Sequence, residues 1–267
     1  LAATAVTALT AIPTTQIVGV PIHMTTLDKA VSLAEAMIRT NKLGYFCHVD
    51  THAVLAARDR PEIHAALSAA TLTCPDGMPL VWVGRRRGFD VGRTYGPDFM
   101  EALIARTAAW TDRPCRHFLF GSSQEVLDRL AQSLVRRSPG TCIAGMLSPP
   151  FGTWDEATDA AHRRAINDSG ADVVWVSLGA PRQEQWMHRN RPYLTAPLLS
   201  GVGAAFDFLS GNKPQAPRLI QRSGLEWAFR LATEPRRLAR RYLRTVPRFA
   251  ALALWDELRR ARSHPAS

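Results

Sequence analysis

Asp172-Val173-Val174-Trp175-Val176-Ser177-Leu178 runs directly into Gly179-Ala180-Pro181-Arg182-Gln183-Glu184. The first stretch is β-branched and apolar and predicts a strand, and the glycine ends it. Pro181 then sits where the first turn of a helix tolerates proline, and apolar residues at helical spacing continue over Arg182 to Arg191. Strand, glycine turn and helix repeat upstream: His117 to Phe120 precedes Gly121-Ser122-Ser123, which opens a helical pattern over Ser123 to Arg137. Such succession is the signature of βαβ units, so the chain is expected to form an α/β fold, a Rossmann-like, mostly parallel sheet flanked by helices.

Further strands are expected at Gly44 to Val49, Thr141 to Met146 and Pro197 to Val202. Further helices are expected at Leu27 to Thr40, Thr51 to Ala57, Asp98 to Thr111 and Ala157 to Ser169. In an open sheet of this kind ligands bind at the strand C-termini, which directs attention to the junction residues Gly121 and Gly179. After Gly211 the chain changes character: prolines and polar residues precede a long arginine-rich helical pattern. The expected organisation is a catalytic domain over residues 1–211 and a basic, membrane-associating appendage over residues 212–267.

Charge supports that division. The 267 residues carry 33 basic and 23 acidic side chains. From Arg218 onward there are twelve arginines, no lysine and four acids, so the surplus concentrates in the tail. An anionic partner is implied: phospholipid headgroups, nucleic acid or a phosphorylated substrate. Arg237, Arg240, Arg241, Arg244 and Arg248 share one broad helical face, with aromatic residues nearby, and arginine forks onto phosphate oxygens. Cys47, Cys74, Cys115 and Cys142 form no C-x-x-C pair and read as buried thiols of a reducing compartment. The uncharged stretch from Leu1 to Leu27 is interrupted by two prolines and seven threonines, a poor signal peptide and a poor membrane span.

Several constellations can carry chemistry. Cys74-Pro75-Asp76-Gly77 is either a common turn or a carboxylate at the lip of a strand, suited to deprotonate an incoming hydroxyl. In His48-Val49-Asp50-Thr51-His52 the polar side chains face one way if the segment stays extended. They suggest contact with a nucleotide or sugar, or a metal; no H-E-x-x-H and no clustered partner accompanies them. The absence of G-x-G-x-x-G and of G-x-x-x-x-G-K-[ST] weighs against NAD and P-loop chemistry. Helix N-termini at Gly121 and Gly179 can still hold a diphosphate through backbone N–H groups, or be turns required only for packing. Gln183 and Glu184 form either a solvated first turn or a set of hydrogen-bonding partners for ligand hydroxyls.

Taken in order, Cys-Pro-Asp-Gly-Met (74–78), Tyr-Gly-Pro-Asp-Phe-Met (95–100), Phe-Leu-Phe-Gly (118–121), Ser-Pro-Pro-Phe-Gly (148–152), Gly-Ala-Pro-Arg-Gln-Glu (179–184), Gly-Val-Gly-Ala-Ala-Phe-Asp-Phe (201–208), Gly-Leu-Glu-Trp (224–227) and Glu-Pro-Arg-Arg (234–237) resemble the WecG/TagA/CpsF glycosyltransferase family from about Ile17 to Leu243. The resemblance implies an inverting, metal-independent transfer, with no cofactor, from a UDP-sugar to an undecaprenyl-diphosphate-linked sugar at the inner face of a bacterial plasma membrane, in teichoic acid or exopolysaccharide assembly. The lack of a D-x-D motif agrees with a metal-free reaction. By position Asp76 matches the family's proposed base, and Gln183 a pocket residue. Arg230, Arg237 and Arg240 match arginines of the C-terminal appendage. Asp50, Gly77, Gly121, Gly179 and Asp207 complete the expected substrate-binding set. Family members occur as oligomers, so self-association is in keeping with it. One departure stands out: many members carry Thr-x-Asn where this chain has His48-Val49-Asp50, and Asp50 accepts hydrogen bonds from the donor but cannot donate as Asn does. The rival from another class is a nucleic-acid-binding α/β protein whose arginine tail tracks phosphates, with no need for Asp76; the transferase reading involves no nucleic acid.

Overall fold

The computed structural model describes residues 12–217, 220, 228–229, 231 and 235–263. Its centre is a six-stranded sheet in the order β4-β3-β8-β7-β5-β6, with every neighbouring pair parallel. The strands are β3 (Gly44–Val49), β4 (Leu72–Pro75), β5 (Arg116–Gly121), β6 (Cys142–Leu147), β7 (Val173–Ser177) and β8 (Leu198–Gly201). The five strands expected from the sequence lie within a residue or two of their places, and the fold is the Rossmann-like α/β sheet anticipated. A small antiparallel hairpin, β1 (Thr14–Ile17) and β2 (Val20–His23), precedes it. Its turn places Val18 at φ 54 and Gly19 at φ 81. A β-branched residue is disfavoured in that left-handed region, so the turn has no Asn-Gly or Asp-Gly signature to announce it.

Parallel strands require crossovers, and the helices supply them on both faces. One face carries α1 (Leu27–Arg39), α5 (Gly96–Ala108), α6 (Gln124–Arg137) and the short α9 (Ala205–Leu209). They pack Phe99, Leu103, Leu130 and Phe206 against Phe46, Leu119 and Trp175 of the strands. The other face carries α2 (Thr51–Asp59), α3 (Pro61–Ser68), α4 (Met78–Arg86), α7 (Glu156–Asp168) and α8 (Arg182–Asn190), meeting Tyr45, Cys47, Phe120 and Val174. Side chains alternate between the two cores along each strand, as the pleat demands. Local chemistry sets the helix starts: Thr26, Asp50, Ser123 and Asp155 each accept a hydrogen bond from the backbone N–H three residues on.

The polar alternation expected of an extended segment 48–52 does not form. Strand β3 ends at Val49, and Asp50 turns the chain into α2 by accepting the Ala53 N–H at 2.9 Å. Capping by a short carboxylate outweighs continued strand here because nothing pairs beyond Val49.

The last described element, α10 (Pro235–Ser263), contains Pro247 and doubles back onto the hairpin and α2. Phe249 is buried in the core of that face, and Arg248 holds Asp59 with both nitrogens, at 2.6 and 2.5 Å. Arg87, only 6% exposed in its side chain, reaches Asp256 at 3.1 Å and Glu257 at 2.7 Å. The Val18 N–H donates to Asp256 at 3.3 Å. Arg244, Leu243, Leu254 and Leu258 remain exposed on the opposite side of the helix. Among the described residues no helix is long and apolar enough to cross a membrane.

Candidate functional site

Four strands, β3, β4, β7 and β8, end at one cavity of about 230 Å³. It is lined by His48, Asp50 and His52 from the β3–α2 junction and by Asp76 after β4. Tyr95 and Pro97 at the start of α5, Gly179 and Gln183 around the start of α8, and Phe208 of α9 complete most of its wall. Helices α2, α5 and α8 therefore begin at the cavity rim. Their N-terminal N–H groups and positive dipole ends offset part of the negative charge that Asp50 and Asp76 bring to the lining.

Asp76 owes its place to register. Its N–H donates to the Val49 carbonyl at 2.9 Å, which ties the end of β4 to the end of β3. Gly77 follows and opens α4; a Cβ there would meet the Asp50 Cα at 3.4 Å, so the two acidic junctions lie side by side. Arg93 holds Asp76 twice, Nε donating to its carbonyl oxygen at 2.6 Å and Nη2 lying 3.4 Å from Oδ1. The same guanidinium stacks on Tyr95, 3.9 Å from the ring centre. The carboxylate is thus at the lip of a strand, partly exposed, and fixed in orientation.

Of the two readings open for Gln183 and Glu184, the solvated first turn does not hold, for both are buried, Glu184 completely. Helix α8 buries Gln183, Trp186, Met187 and Asn190, positions that share one face at helical spacing. Gln183 Nε2 donates to Glu184 Oε1 at 3.0 Å. Gly201 makes room for the amide: a Cβ there would come within 3.1 Å of Nε2. Two buried oxygens, Gln183 Oε1 and Glu184 Oε2, have no hydrogen-bond partner among the described residues. Gln183 lines the cavity, although its carbonyl oxygen is itself covered in this conformation. Burial pushes the Glu184 carboxyl up to about 7, and the nearby Asp50 charge adds to the rise, against the hydrogen bond from Gln183. Arg182 turns away from the cavity and stacks on Trp154 at 4.1 Å.

His48 is buried between the Thr94 carbonyl, 2.9 Å from Nδ1, and Ser200 Oγ, 3.4 Å from Nε2. Burial lowers its pKa to about 4, so it is a neutral ring at neutral pH. Among the described residues no three His, Cys, Asp or Glu side chains group as a metal site.

The structure brings Asp50, Asp76, Gly179 and Gln183 to one cavity, with Gly77 directly behind Asp76. Gly121 sits apart from the lining, with φ 123. A Cβ there would run into the Ser177 backbone, 2.6 Å from its carbonyl carbon, so close β5–β7 approach explains the glycine. Asp207 points elsewhere: its carboxylate accepts from Asn212 at 2.8 Å and lies 3.4 Å from Lys213, stapling the turn after α9, while its neighbour Phe208 lines the cavity. Arg230 lies outside the described residues, as do the side chains of Arg237 and Arg240 in α10. Arg93, Tyr95 and Phe208 are among the lining or supporting residues that sequence reasoning does not select; the helix-starting Gly96-Pro97 pair after Tyr95 is the available signal.

Comparison with known families agrees with the ordered motifs and with a cavity at the C-terminal edge of a parallel sheet. The glycosyl transferase WecG/TagA/CpsF family profile matches residues 15–263, and the chain belongs to that family of glycosyltransferases.

Proposed function

We propose that the protein is an inverting, metal-independent glycosyltransferase that moves a sugar from a UDP-sugar onto an undecaprenyl-diphosphate-linked acceptor for cell-surface polysaccharide or teichoic acid synthesis. The observation that carries this reading is the position of Asp76: a carboxylate clamped by Arg93 at the rim of a cavity onto which three helix N-termini open. Asp76 takes the proton of the acceptor hydroxyl as that oxygen bonds to the anomeric carbon. The bond from that carbon to the UDP oxygen breaks, UDP carries away the electron pair, and one displacement inverts the centre. The helix N-termini stabilise the charge that grows on the departing diphosphate. The side chains of Gln183 and Asp50 hydrogen-bond the donor, and His48 packs beside it as a neutral ring.

The cavity is smaller than the ~300–1,000 Å³ usual for a complete small-molecule site, and so suits the reacting part of the donor more than a whole nucleotide sugar. Residues 212–267 form the basic appendage in this reading. Exposed Leu243, Leu254 and Leu258 beside exposed Arg244, Arg259 and Arg262 support its resting on an anionic inner leaflet, where the acceptor resides. Arg230, Arg237 and Arg240 grip diphosphate oxygens.

The test is UDP release from a panel of UDP-sugars with a short-chain lipid-diphosphate-sugar acceptor, for the intact chain and for Asp76→Asn. Acceptor-dependent release that falls by about 10²-fold or more in the variant is expected. Release unaffected by the variant removes Asp76 as base, and no release with any donor removes the reading.

A further inference from the structure

Glu184 is a fully buried carboxyl one residue beyond the amide that lines the cavity. Gln183 Nε2 donates to Glu184 Oε1 at 3.0 Å, and one oxygen on each side chain, Gln183 Oε1 and Glu184 Oε2, stays buried and unsatisfied among the described residues. Two acceptors on groups already joined by a hydrogen bond lack the same thing, a donor. A carboxylic acid supplies it, because acid and primary amide match at two points, N–H to oxygen one way and O–H to oxygen the other. The surroundings favour the acid. From neighbouring elements Glu184 faces the Asp50 charge at the β3–α2 junction and the Cys47 thiol of β3, itself kept protonated by burial. On α8, Arg182 is stacked on Trp154, and His188 lies 3.1 Å from the Tyr45 hydroxyl. A buried charge without a cation at its side is costly. The hydrogen bonds that Glu184 accepts from Gln183 and from its own N–H do not outweigh that burial, in keeping with a carboxyl raised to about 7.

We infer that Glu184 is a positioning residue that works as the neutral acid: its O–H bonds Gln183 Oε1, the amide is held at two points, and Gln183 meets the nucleotide sugar through its remaining N–H alone. The inference deepens the transferase reading above and rests on it. An amide free to turn offers a ligand either its oxygen or its nitrogen. A held amide offers only a hydrogen-bond donor, which selects an acceptor atom at that place on the sugar, a hydroxyl or acyl oxygen. Asp50, an acceptor in the same cavity, supplies the complementary half. The glycines beside the amide fit this: a Cβ at Gly201 would come within 3.1 Å of Nε2, and one at Gly203, which also lines the cavity, within 3.8 Å. The amide nitrogen therefore has no glycine side chain set against it on that wall. When Glu184 loses its proton, an acceptor replaces the O–H opposite Gln183 Oε1, and the two-point hold opens.

Glu184→Gln keeps the two-point match with an amide that never titrates, so it is the conservative variant to set beside the parent. The first readout needs no activity: the nitrogen NMR signal of the Gln183 side-chain amide, identified by its absence in Gln183→Met, is followed through the titration of Glu184. Expected is one transition at a pH of about 7 in the parent and none in Glu184→Gln. A signal that stays still in the parent, or that moves equally in both proteins, overturns the two-point hold. The second readout is kcat/KM for the UDP-sugar against pH. Expected is a fall of about five- to ten-fold in the parent as Glu184 ionises, the scale of one misdirected hydrogen bond, that Glu184→Gln does not show. The same fall in both proteins, or none in the parent, overturns the positioning role. An amide signal that titrates as expected, in a protein that releases no UDP with any donor, leaves the hold on Gln183 standing and removes the transferase reading.

Discussion

Arg93 meets Asp76 at two points, the backbone carbonyl at 2.6 Å and the carboxylate Oδ1 at 3.4 Å, so one planar fork sets both the height and the rotation of the proposed base. Lysine carries the same charge on a single point and cannot reproduce the fork. Arg93→Lys is therefore expected to lower kcat by about 10–10²-fold, the scale of a small misplacement of a reacting group, with the donor KM little changed. Steady-state kinetics with a melting curve as control check this; equal loss of stability and activity would assign Arg93 to folding instead.

Gly121 and Gly179 both have positive φ, yet they differ in surroundings. At Gly121 a Cβ collides with the backbone of Ser177, whereas at Gly179 it meets open space. Gly179→Ala is expected to cost about 1–2 kcal/mol for the left-handed conformation alone. Gly121→Ala adds a backbone clash between the ends of β5 and β7 and belongs with the substitutions that cost more than about 4 kcal/mol. Urea denaturation of the two variants side by side distinguishes them.

Glu184 gives the protein a pH dependence of unusual sign. Its folded-state pKa, about 7, lies above its ordinary 4.5, so the folded form holds a proton that the unfolded form releases. Stability from this group falls as pH rises from about 4.5 to 7 and is level beyond. Glu184→Gln keeps the shape and removes the titration. It is expected to be more stable than the parent at pH 8 by up to roughly 3 kcal/mol, with the difference fading toward pH 4.5. His48 and His117, buried and lowered to about 4, act oppositely: each loses stability as pH falls from 6.5, equally in both proteins, and so cancels from the comparison.

Arg87 joins α4 to α10 by pairing with two carboxylates while almost fully buried. Removing it strands Asp256 and Glu257, so Arg87→Ala is expected to destabilise by about 3–5 kcal/mol or to release α10. Limited proteolysis separates the outcomes: cleavage confined to residues 235–263 marks release of the helix, and loss of the whole chain marks global unfolding.

The sheet was legible because β3, β5, β7 and β8 are runs of β-branched and apolar residues closed by glycine or a small polar residue. The helices between them carry their apolar residues at helical spacing. What escaped is what depends on contacts distant in sequence. β4 offers four residues, too few for a period, and earns its strand from pairing with β3. Asp50 reaches the cavity because it caps α2, a contact with Ala53 that polar alternation along an extended segment does not foretell. Gln183 and Glu184 look polar and solvated until Trp186 and Met187 are counted on the same face. Asp207 lies next to the cavity residue in sequence, but one helical step turns its carboxylate toward Lys213. Arg93 has no local signature at all, because its partner is 17 positions away.

The docking of α10 on the hairpin makes the two ends of the described chain depend on each other. The Val18 N–H rests on Asp256, 238 positions away, and Thr15 accepts from both Arg87 and Arg260. Cutting the chain before Pro235 would take away a cluster of arginines, and with them the cover over Val18, the partners of Arg87 and the seat of Phe249. A shortened protein that lost activity would therefore report a loosened first hairpin as much as a missing basic surface, and only point changes on the outer side of α10 can tell the two apart.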